Sequence, residues 1–368
     1  MADDKSECND NAKIQNLMNL DDFSSFPSLD SQNMLSHIEG LPAQLQTAWD
    51  LGQTFPLPQW NGIERICIAG MGGSAIGADL LAAYIESQCP VPVFVHRDYD
   101  LPCWARGAQT LVIASSHSGN TEETLSAFVQ AKTNGCRILA VCTGGKLETA
   151  ANEAGVTLWI FEHRGQPRAA VGFSFGLLLA AFSRLGLIPD PSVELKSAIA
   201  AMRAQQVNLR AEVPIVKNPA KRMAGQLMGR WVTVIGAGIL APVARRWKGQ
   251  ISEVAKAWGQ FEFLPEADHN TLAGLVNPEN TLAQTMVLFL RAPSLHPRNC
   301  LRLELTKKIF MLEGLNTDFI DAQDDTPLAQ LWTALHLGDY AAYYLAMAYD
   351  VDPSPVEAIE SLKKEMKR

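Results

Sequence analysis

The sequence predicts an α/β protein with two subdomains, each a parallel β-sheet flanked by helices (αβα), and further helices at both ends of the chain. Three observations support this. Short apolar runs alternate with helical stretches. A strand, glycine turn and helix pattern occurs twice, as ICIAGMGGSAIGADLLA and VTVIGAGILAPVARR, which indicates a structural duplication. The length of 368 residues exceeds one typical domain.

Composition excludes several classes of protein. A hydrophobic fraction of 47% against 19% charged residues allows large cores and disfavours disorder. The net charge of -8 argues against nucleic acid or an anionic membrane as a partner, and no apolar run reaches the ~18 residues of a membrane helix. The acidic start lacks a signal-peptide pattern. Seven scattered cysteines without a C-x-x-C pair favour a reducing, cytoplasmic setting.

The first part of the chain, residues 1–60, is predicted to be a polar tail and a helical segment. The helix is expected over 29–52, where apolar side chains recur at helical spacing, namely Met34, Ile38, Leu41 and Leu45. The first subdomain is expected over 61–190. Its near-continuous apolar strands are predicted at 63–69, 91–95, 110–114, 137–143 and 158–161, and its helices at 74–86 and 121–134.

The second half repeats this rhythm after linker helices over 191–230, including a long amphipathic helix over 192–210. The second subdomain is expected over 231–350. Its predicted elements are a strand at 231–235, a strand–helix region at 281–290, a short strand at 319–320 and a helix over 328–347. A charged helix is predicted for 351–368, starting at Asp352 and Pro353.

A glycine-rich loop, residues 70–77, follows the first strand and opens a helix. Glycines let the backbone approach a ligand, and the helix start offers free N–H groups, which suits a sugar or phosphate. Two further interpretations remain open here: a tight turn, and a dinucleotide site in which Asp98 at the next strand end contacts the ribose.

A second loop, residues 115–124, follows another apolar strand and opens another helix. Ser116, Ser118 and Thr121 place three hydroxyls around a glycine at the helix start, which suits a phosphate dianion. A dinucleotide domain needs no second cradle of this kind, and ordinary N-capping needs only one hydroxyl.

The run SSHSGNTEETL resembles the phosphate loop of the sugar-isomerase (SIS) family. With GMGGSAIG, the chain resembles the bifunctional phosphoglucose/phosphomannose isomerases of that family. Further matching segments are NMLSHIEGLPAQ, Pro167-Arg168, KNPAK, residues 251–270, HLGDYAAYYLA and DPSPVEAIESLKK. The resemblance implies aldose–ketose isomerisation of glucose 6-phosphate or mannose 6-phosphate to fructose 6-phosphate through a cis-enediol. It also implies a homodimer and no metal or redox cofactor.

The resemblance also implies site residues. Gly72, Gly73 and Ser74 would line the sugar site, Ser116, Ser118 and Thr121 would hold the phosphate, Arg168 would stabilise the enediolate, Glu253 would move the proton, His269 would open the ring and Lys363 would assist at the ring oxygen or O1. This set is chemically coherent, because the reaction needs a carboxylate base, a fixed cation and a group that exchanges protons near neutral pH. The resemblance further implies that His269 reaches the site of a partner subunit.

Several roles have a second candidate. Glu266 competes for the role of base, Arg164 for the cation and Lys364 for the terminal lysine, while His117 is expected to point away from the substrate. For the function, the alternatives are a non-catalytic sugar-phosphate sensor and, with less support, an NAD-dependent dehydrogenase.

Overall fold

A computed structural model describes residues 19–366 and contains two parallel sheets with helices on both faces. The first sheet has the order β2-β1-β3-β4-β5. Its strands are β1 Arg65–Ala69, β2 Val93–His96, β3 Thr110–Ser116, β4 Arg137–Cys142 and β5 Thr157–Ile160. Each lies within about two residues of a predicted strand, because a long apolar run bounded by turns is typical of a buried strand.

The second sheet has the order β7-β6-β8-β9, and all its pairings are parallel. Its strands are β6 Trp231–Ala237, β7 Gly259–Leu264, β8 Thr285–Arg291 and β9 Asn316–Asp321. The first strand of each sheet therefore has the second strand on one side and the third on the other, with the fourth beyond. The two halves share this topology, in agreement with the predicted duplication.

The helices of the first half are α1 Phe26–Leu29, α2 Met34–Glu39, α3 Leu41–Thr54, α4 Gly72–Ile85, α5 Glu122–Thr133, α6 Gly145–Ala154 and α7 Val171–Arg184. The single helix predicted over 29–52 is wrong, since the chain forms α2 and α3 there. Pro42 has no N–H to donate to the Ile38 carbonyl, which instead lies 2.8 Å from His336 Nε2. A long-range contact thus replaces the missing helical bond.

The helices of the second half are α8 Ser192–Gln206, α9 Pro219–Leu227, α10 Ala241–Glu253, α11 Glu279–Ala283, α12 Pro297–Leu312, α13 Pro327–Ala348 and α14 Glu357–Glu365. Helix α13 is buried along nearly its whole length and packs against α8, α9 and α10. Because nearly all of α13 is buried, its sequence is apolar on every face rather than on one. No helix among residues 19–366 combines the length and apolar character needed to cross a membrane.

The last helix begins later than predicted. It starts at Glu357, whereas the sequence indicated Asp352 and Pro353. Pro355 disfavours a helical conformation for the residue before it. The carbonyl oxygens of Pro353 and Ser354 are occupied by Arg168, so this stretch is held as a non-helical segment against the first half of the chain.

Candidate active site

The two loops predicted to bind the sugar and the phosphate lie at one edge of the first sheet. The glycine loop follows β1 and the serine loop follows β3, and these strands are neighbours. Strand order reverses at β1, whose other neighbour is β2. In open parallel sheets such a reversal leaves a crevice at the carboxyl ends of the strands, where ligands bind.

The glycine loop is shaped by close packing. Gly72 has φ +50° and open space where a side chain would stand. A Cβ on Gly73 would lie 2.4 Å from the carbonyl oxygen of Pro167, so only glycine allows this contact. Ser74 is buried, and its Oγ accepts a hydrogen bond of 3.1 Å from the backbone N–H of His117. The loop is thereby fixed both to the serine loop and to the turn that carries Arg168.

The serine loop brings its three predicted hydroxyls to the start of α5. Ser116 Oγ donates to Thr121 Oγ1 at 2.9 Å, and Ser118 Oγ accepts from the Asn120 N–H at 3.2 Å. Thr121 is the N-cap of α5, yet no side chain caps that helix start. The first-turn N–H groups are therefore not satisfied by a capping side chain, which is the arrangement expected of an anion site.

A neighbouring loop holds the serine loop in shape. Gly119 has φ +64°, and a Cβ there would lie 1.7 Å from the carbonyl oxygen of Gly144. Thr143 Oγ1 donates to the His117 carbonyl at 2.7 Å. The backbone of residues 143–145 thus occupies the space that any larger residue at position 119 would need.

Arg168 and Glu253 come together from the two halves of the chain. Arg168 lies in a 3₁₀ turn, Pro167–Ala170, and is 3% exposed, while Glu253 is the last residue of α10. Arg168 Nη1 and Glu253 Oε2 are 3.6 Å apart. Burial lowers the pKa of Arg168, and Glu253 opposes that shift. A carboxylate and a fixed cation therefore face each other beside the glycine loop.

A buried ion pair that the sequence analysis missed supports Arg168. The Arg246 guanidinium binds both carboxylate oxygens of Asp339, at 3.0 and 2.8 Å, and donates to the Arg168 carbonyl at 2.7 Å. Both side chains are almost fully buried. One signal was available, since Asp339 is the only charged residue in the apolar helix α13, and a lone buried charge requires a partner.

Lys256 is a second residue that the sequence analysis missed. It follows α10 with φ +54°, and its Nζ donates to the Glu253 carbonyl at 2.6 Å. The stretch SEVAKAWG gave no signal, because it is typical of an ordinary solvent-exposed helix face.

The structure brings neither His269 nor Lys363 to this cluster by any hydrogen bond or ion pair within residues 19–366. His269 is exposed at the end of a 3₁₀ turn, Glu266–His269, whose Asp268 binds Arg302 and Thr306 of α12, each at 2.7 Å. Lys363 and Lys364 are exposed on α14.

Within residues 19–366, the competing candidates Glu266 and Arg164 make no hydrogen bond to Arg168 or Glu253 either. Glu266 accepts a hydrogen bond from Asn270, and Arg164 is exposed. Asp98, the expected ribose contact of a dinucleotide site, accepts from the Tyr99 N–H.

His117 takes part in a histidine cluster at the side of the serine loop. Its Nε2 lies 2.9 Å from His163 Nδ1, and its ring packs against Phe161. The His37 ring lies 5.3 Å from that of His163. Burial, with smaller contributions from His117 and His37, lowers the pKa of His163 to about 4, and burial also lowers the pKa values of His117 and His37. The environment of the cluster thus favours neutral imidazole rings.

Further features of residues 19–366 lie away from the cluster. A cavity of about 480 Å³ between α8, α9 and β9 contains none of the predicted site residues. The described cysteines are free, and no group of three or more His, Cys, Asp or Glu in this part of the chain could hold a metal ion.

Comparison with known families gives two matches that together span most of the chain. Residues 61–185 match the SIS domain, and residues 216–366 match the bacterial phospho-glucose isomerase C-terminal SIS domain. The first match contains both loops and Arg168, and the second contains Glu253 and His269.

Individual relatives and structures agree with these matches. The chain is 37% identical to a bifunctional phosphoglucose/phosphomannose isomerase of Caldicellulosiruptor bescii, over 90% of this chain and 98% of that protein. It is 34% identical to the protein of the same name from Aquifex aeolicus, over 84% and 95% respectively. A glucose-6-phosphate isomerase like protein from Thermus thermophilus shares the fold, with a TM-score of 0.62 and 20% identity over 92% of this chain and 98% of that one.

Proposed function

The chain belongs to the bifunctional phosphoglucose/phosphomannose isomerase family, and we propose on that basis that it interconverts glucose 6-phosphate or mannose 6-phosphate with fructose 6-phosphate. The observation that carries this proposal is the pairing of Arg168 with Glu253 beside the glycine loop. Proton transfer between adjacent carbons needs one carboxylate, and the oxyanion that forms needs a nearby fixed positive charge.

The serine loop is proposed to hold the phosphate. Ser116, Ser118 and Thr121 supply hydroxyl donors, and the start of α5 adds N–H groups and its positive dipole end. Gly72, Gly73 and Ser74 are proposed to line the sugar. The hydrogen bond between Ser74 and the backbone of His117 supports this arrangement, because it holds the two loops at a fixed separation.

Glu253 is proposed as the base. It removes the proton from C2 of the open-chain aldose, the electron pair of that bond forms the C1=C2 bond, and the carbonyl electron pair moves to O1. Delivery of the proton to C1 then gives the ketose, while O1 gains a proton from solvent and O2 loses one to it. Arg168 stabilises the intermediate through its buried positive charge.

His269 is proposed to open the sugar ring in the site of a second subunit, with Lys363 assisting at the ring oxygen or O1. Two observations support a homodimer. His269 is exposed at a turn anchored to α12. The same helix exposes an apolar stripe, formed by Leu301, Leu305, Ile309 and Leu312. An exposed apolar stripe is typical of a subunit interface, and this one lies on the helix that anchors the turn with His269.

We further propose the organisation expected from the sequence: a first SIS subdomain over 61–190 with the two loops, linker helices over 191–230, and a second SIS subdomain over 231–350 with Glu253 and His269. Residues 1–60 and 351–368 add terminal segments. The cytoplasm is the proposed setting, which the free thiols of the described cysteines support.

The direct test is to incubate the purified protein with each hexose 6-phosphate separately and follow the products by NMR. We expect fructose 6-phosphate from both glucose 6-phosphate and mannose 6-phosphate without added nicotinamide cofactor. Tight binding of both sugars without conversion would instead indicate a sugar-phosphate sensor and contradict the proposal.

A further inference from the structure

Most N–H groups of the Arg168 guanidinium already have a partner within the protein. Nη2 donates to the carbonyl oxygens of Pro353, at 2.9 Å, and Ser354. Nη1 lies 3.4 Å from Gln166 Oε1 and 3.6 Å from Glu253 Oε2, and the buried Nε has no partner within residues 19–366. Arg168 thus supplies positive charge to the site but has few N–H groups left for a sugar oxygen.

Lys256 is a cation beside this pair whose donors are largely free. Its Nζ makes one hydrogen bond, to the Glu253 carbonyl, and forms no ion pair with any of residues 19–366. An ammonium group has three donors, so two remain available. Lys256 is partly open to solvent, and Arg168 and Glu253 lie close enough to act on its charge.

Lys256 has a left-handed backbone conformation that is unfavourable for lysine. A left-handed backbone at φ +54° is disfavoured for any residue with a Cβ, and such strain clusters at functional sites. The other non-glycine residues with positive φ in the described chain have short polar side chains that tolerate this region, namely Asn33, Asp100, Asp324 and Asp350. Lys256 is the exception.

The charged groups around the ammonium come from three segments. They are Arg168 from the first half, Glu253 from α10 and Asp352 from the segment after α13. Partial burial of the ammonium group lowers the pKa of Lys256 to about 8, with a smaller contribution from Arg168, while Asp352 and Glu253 oppose that shift. The group is therefore mostly charged at neutral pH and loses its charge just above it.

We propose that Lys256 is a further catalytic residue, whose ammonium group donates a hydrogen bond to the sugar oxygen that becomes negative when Glu253 removes the carbon-bound proton. This inference rests on the proposed isomerase function. No bond to lysine forms or breaks. The charge on O1 is matched by a donor that is close to the base, while Arg168 adds its buried positive charge and holds the base and the C-terminal segment in place.

The alternative is that Lys256 only caps the C-terminus of α10 through the Glu253 carbonyl. Substitution by glycine separates the two roles, because glycine tolerates φ +54° without strain and removes the amine. We expect Lys256→Gly to unfold at the same denaturant concentration as the wild type or a higher one, with kcat about 100-fold lower and KM within about threefold. Lys248→Ala, which removes a lysine within α10, should keep wild-type kcat.

The pH dependence of kcat provides a readout that a cap would not change. Wild-type kcat should fall above pH ~8, and Lys256→Arg should retain at least about a tenth of the activity with this fall moved to higher pH. Full activity in Lys256→Gly, or an unchanged alkaline limb in Lys256→Arg, would overturn the inference while leaving the isomerase proposal intact. A wild-type protein that converts neither hexose 6-phosphate would overturn the proposed function itself.

Discussion

At the scale of single residues, His336 links the packing of α13 to the stability of the molecule. Its side chain is fully buried, its Nε2 lies 2.8 Å from the Ile38 carbonyl oxygen, and burial lowers its pKa to about 4. The unfolded chain binds a proton near pH 6.5. Between pH 6.5 and 4 the unfolded state therefore holds more protons than the folded state, so the free energy of unfolding decreases as the pH falls.

We predict that His336 alone lowers the free energy of unfolding by about 2 kcal/mol between pH 7 and pH 5. His336→Gln keeps a donor for the Ile38 carbonyl but cannot be protonated. Denaturant unfolding at both pH values should show a smaller loss of stability in this variant than in the wild type. An equal loss in the two proteins would show that another group is responsible.

Gly119 tests whether the shape of the serine loop matters for binding. A Cβ at this position would lie 1.7 Å from the Gly144 carbonyl oxygen, so Gly119→Ala must displace one of the two loops. We expect the KM for hexose 6-phosphates to rise at least about tenfold in protein whose circular dichroism matches the wild type. Gly135→Ala is the matched control, because Gly135 has φ +66° with open space around it. It should cost about 1 kcal/mol of stability and leave KM unchanged.

The residues of the candidate site differ in how readily the sequence alone predicts them. The grouping of Ser116, Ser118 and Thr121 at the start of α5 could be predicted, because it is local and directly follows an apolar strand. Arg246 could not, because its partner Asp339 is 93 residues away and only the packing of α10 on α13 brings them together. Lys256 was missed because its left-handed backbone interrupts a stretch with ordinary helical composition.

At the scale of elements, the KNPAK segment has a structural role at the start of α9. The fully buried Asn218 accepts from the N–H groups of Ala220 and Lys221, at 3.0 and 3.1 Å. Lys221 is itself buried, donates to the Ala211 carbonyl at 2.7 Å and lies 3.6 Å from Asp21 Oδ1. This segment therefore joins the N-terminal part of the described chain to the second half.

Loss of this cap should weaken the protein without touching the site. We predict that Asn218→Ala lowers the free energy of unfolding by about 1–2 kcal/mol. Asn218→Asp, which retains the acceptor, should recover part of the loss. Chemical denaturation of the three proteins measures this, with kcat determined in parallel. An Asn218→Ala protein of wild-type stability would contradict the role of the cap.

Strands with a continuous apolar run were predicted, whereas β7, which has a mixed pattern, was not. Strands β1, β3 and β4 are buried and apolar, so their runs stand out in the sequence. Strand β7, with the sequence GQFEFL, is a partly exposed edge strand and gave no continuous run. The non-helical segment at 353–354 was missed because it is fixed by Arg168, 185 residues earlier.

At the scale of the whole molecule, the duplicated topology brings the two halves face to face. Helices α4 and α10, which follow the two glycine turns, pack together, and Asp79 on α4 binds Arg245 on α10 at 2.8 Å. Asp79 also pairs with Arg97 of the first half. The same α10 then ends at Glu253, so packing between equivalent helices determines where the carboxylate meets Arg168.

The proposed exchange of His269 between subunits predicts complementation between inactive variants. Glu253→Gln and His269→Ala should each be inactive alone. After mixed refolding, about a quarter of wild-type activity should return, because half of the dimers are hybrids and each hybrid has one intact site. No recovery in demonstrated hybrid dimers would mean that His269 acts within its own chain.

The most direct test of the central claim is solvent deuterium incorporation in heavy water. Wild-type protein should introduce deuterium at C1 or C2 of the hexose 6-phosphate. Glu253→Gln should lower that rate by about 10²–10⁴-fold while still binding the substrate analogue 5-phosphoarabinonate, and Glu266→Gln should exchange at the wild-type rate. Full exchange in Glu253→Gln, or its loss in Glu266→Gln, would contradict the assignment of the base.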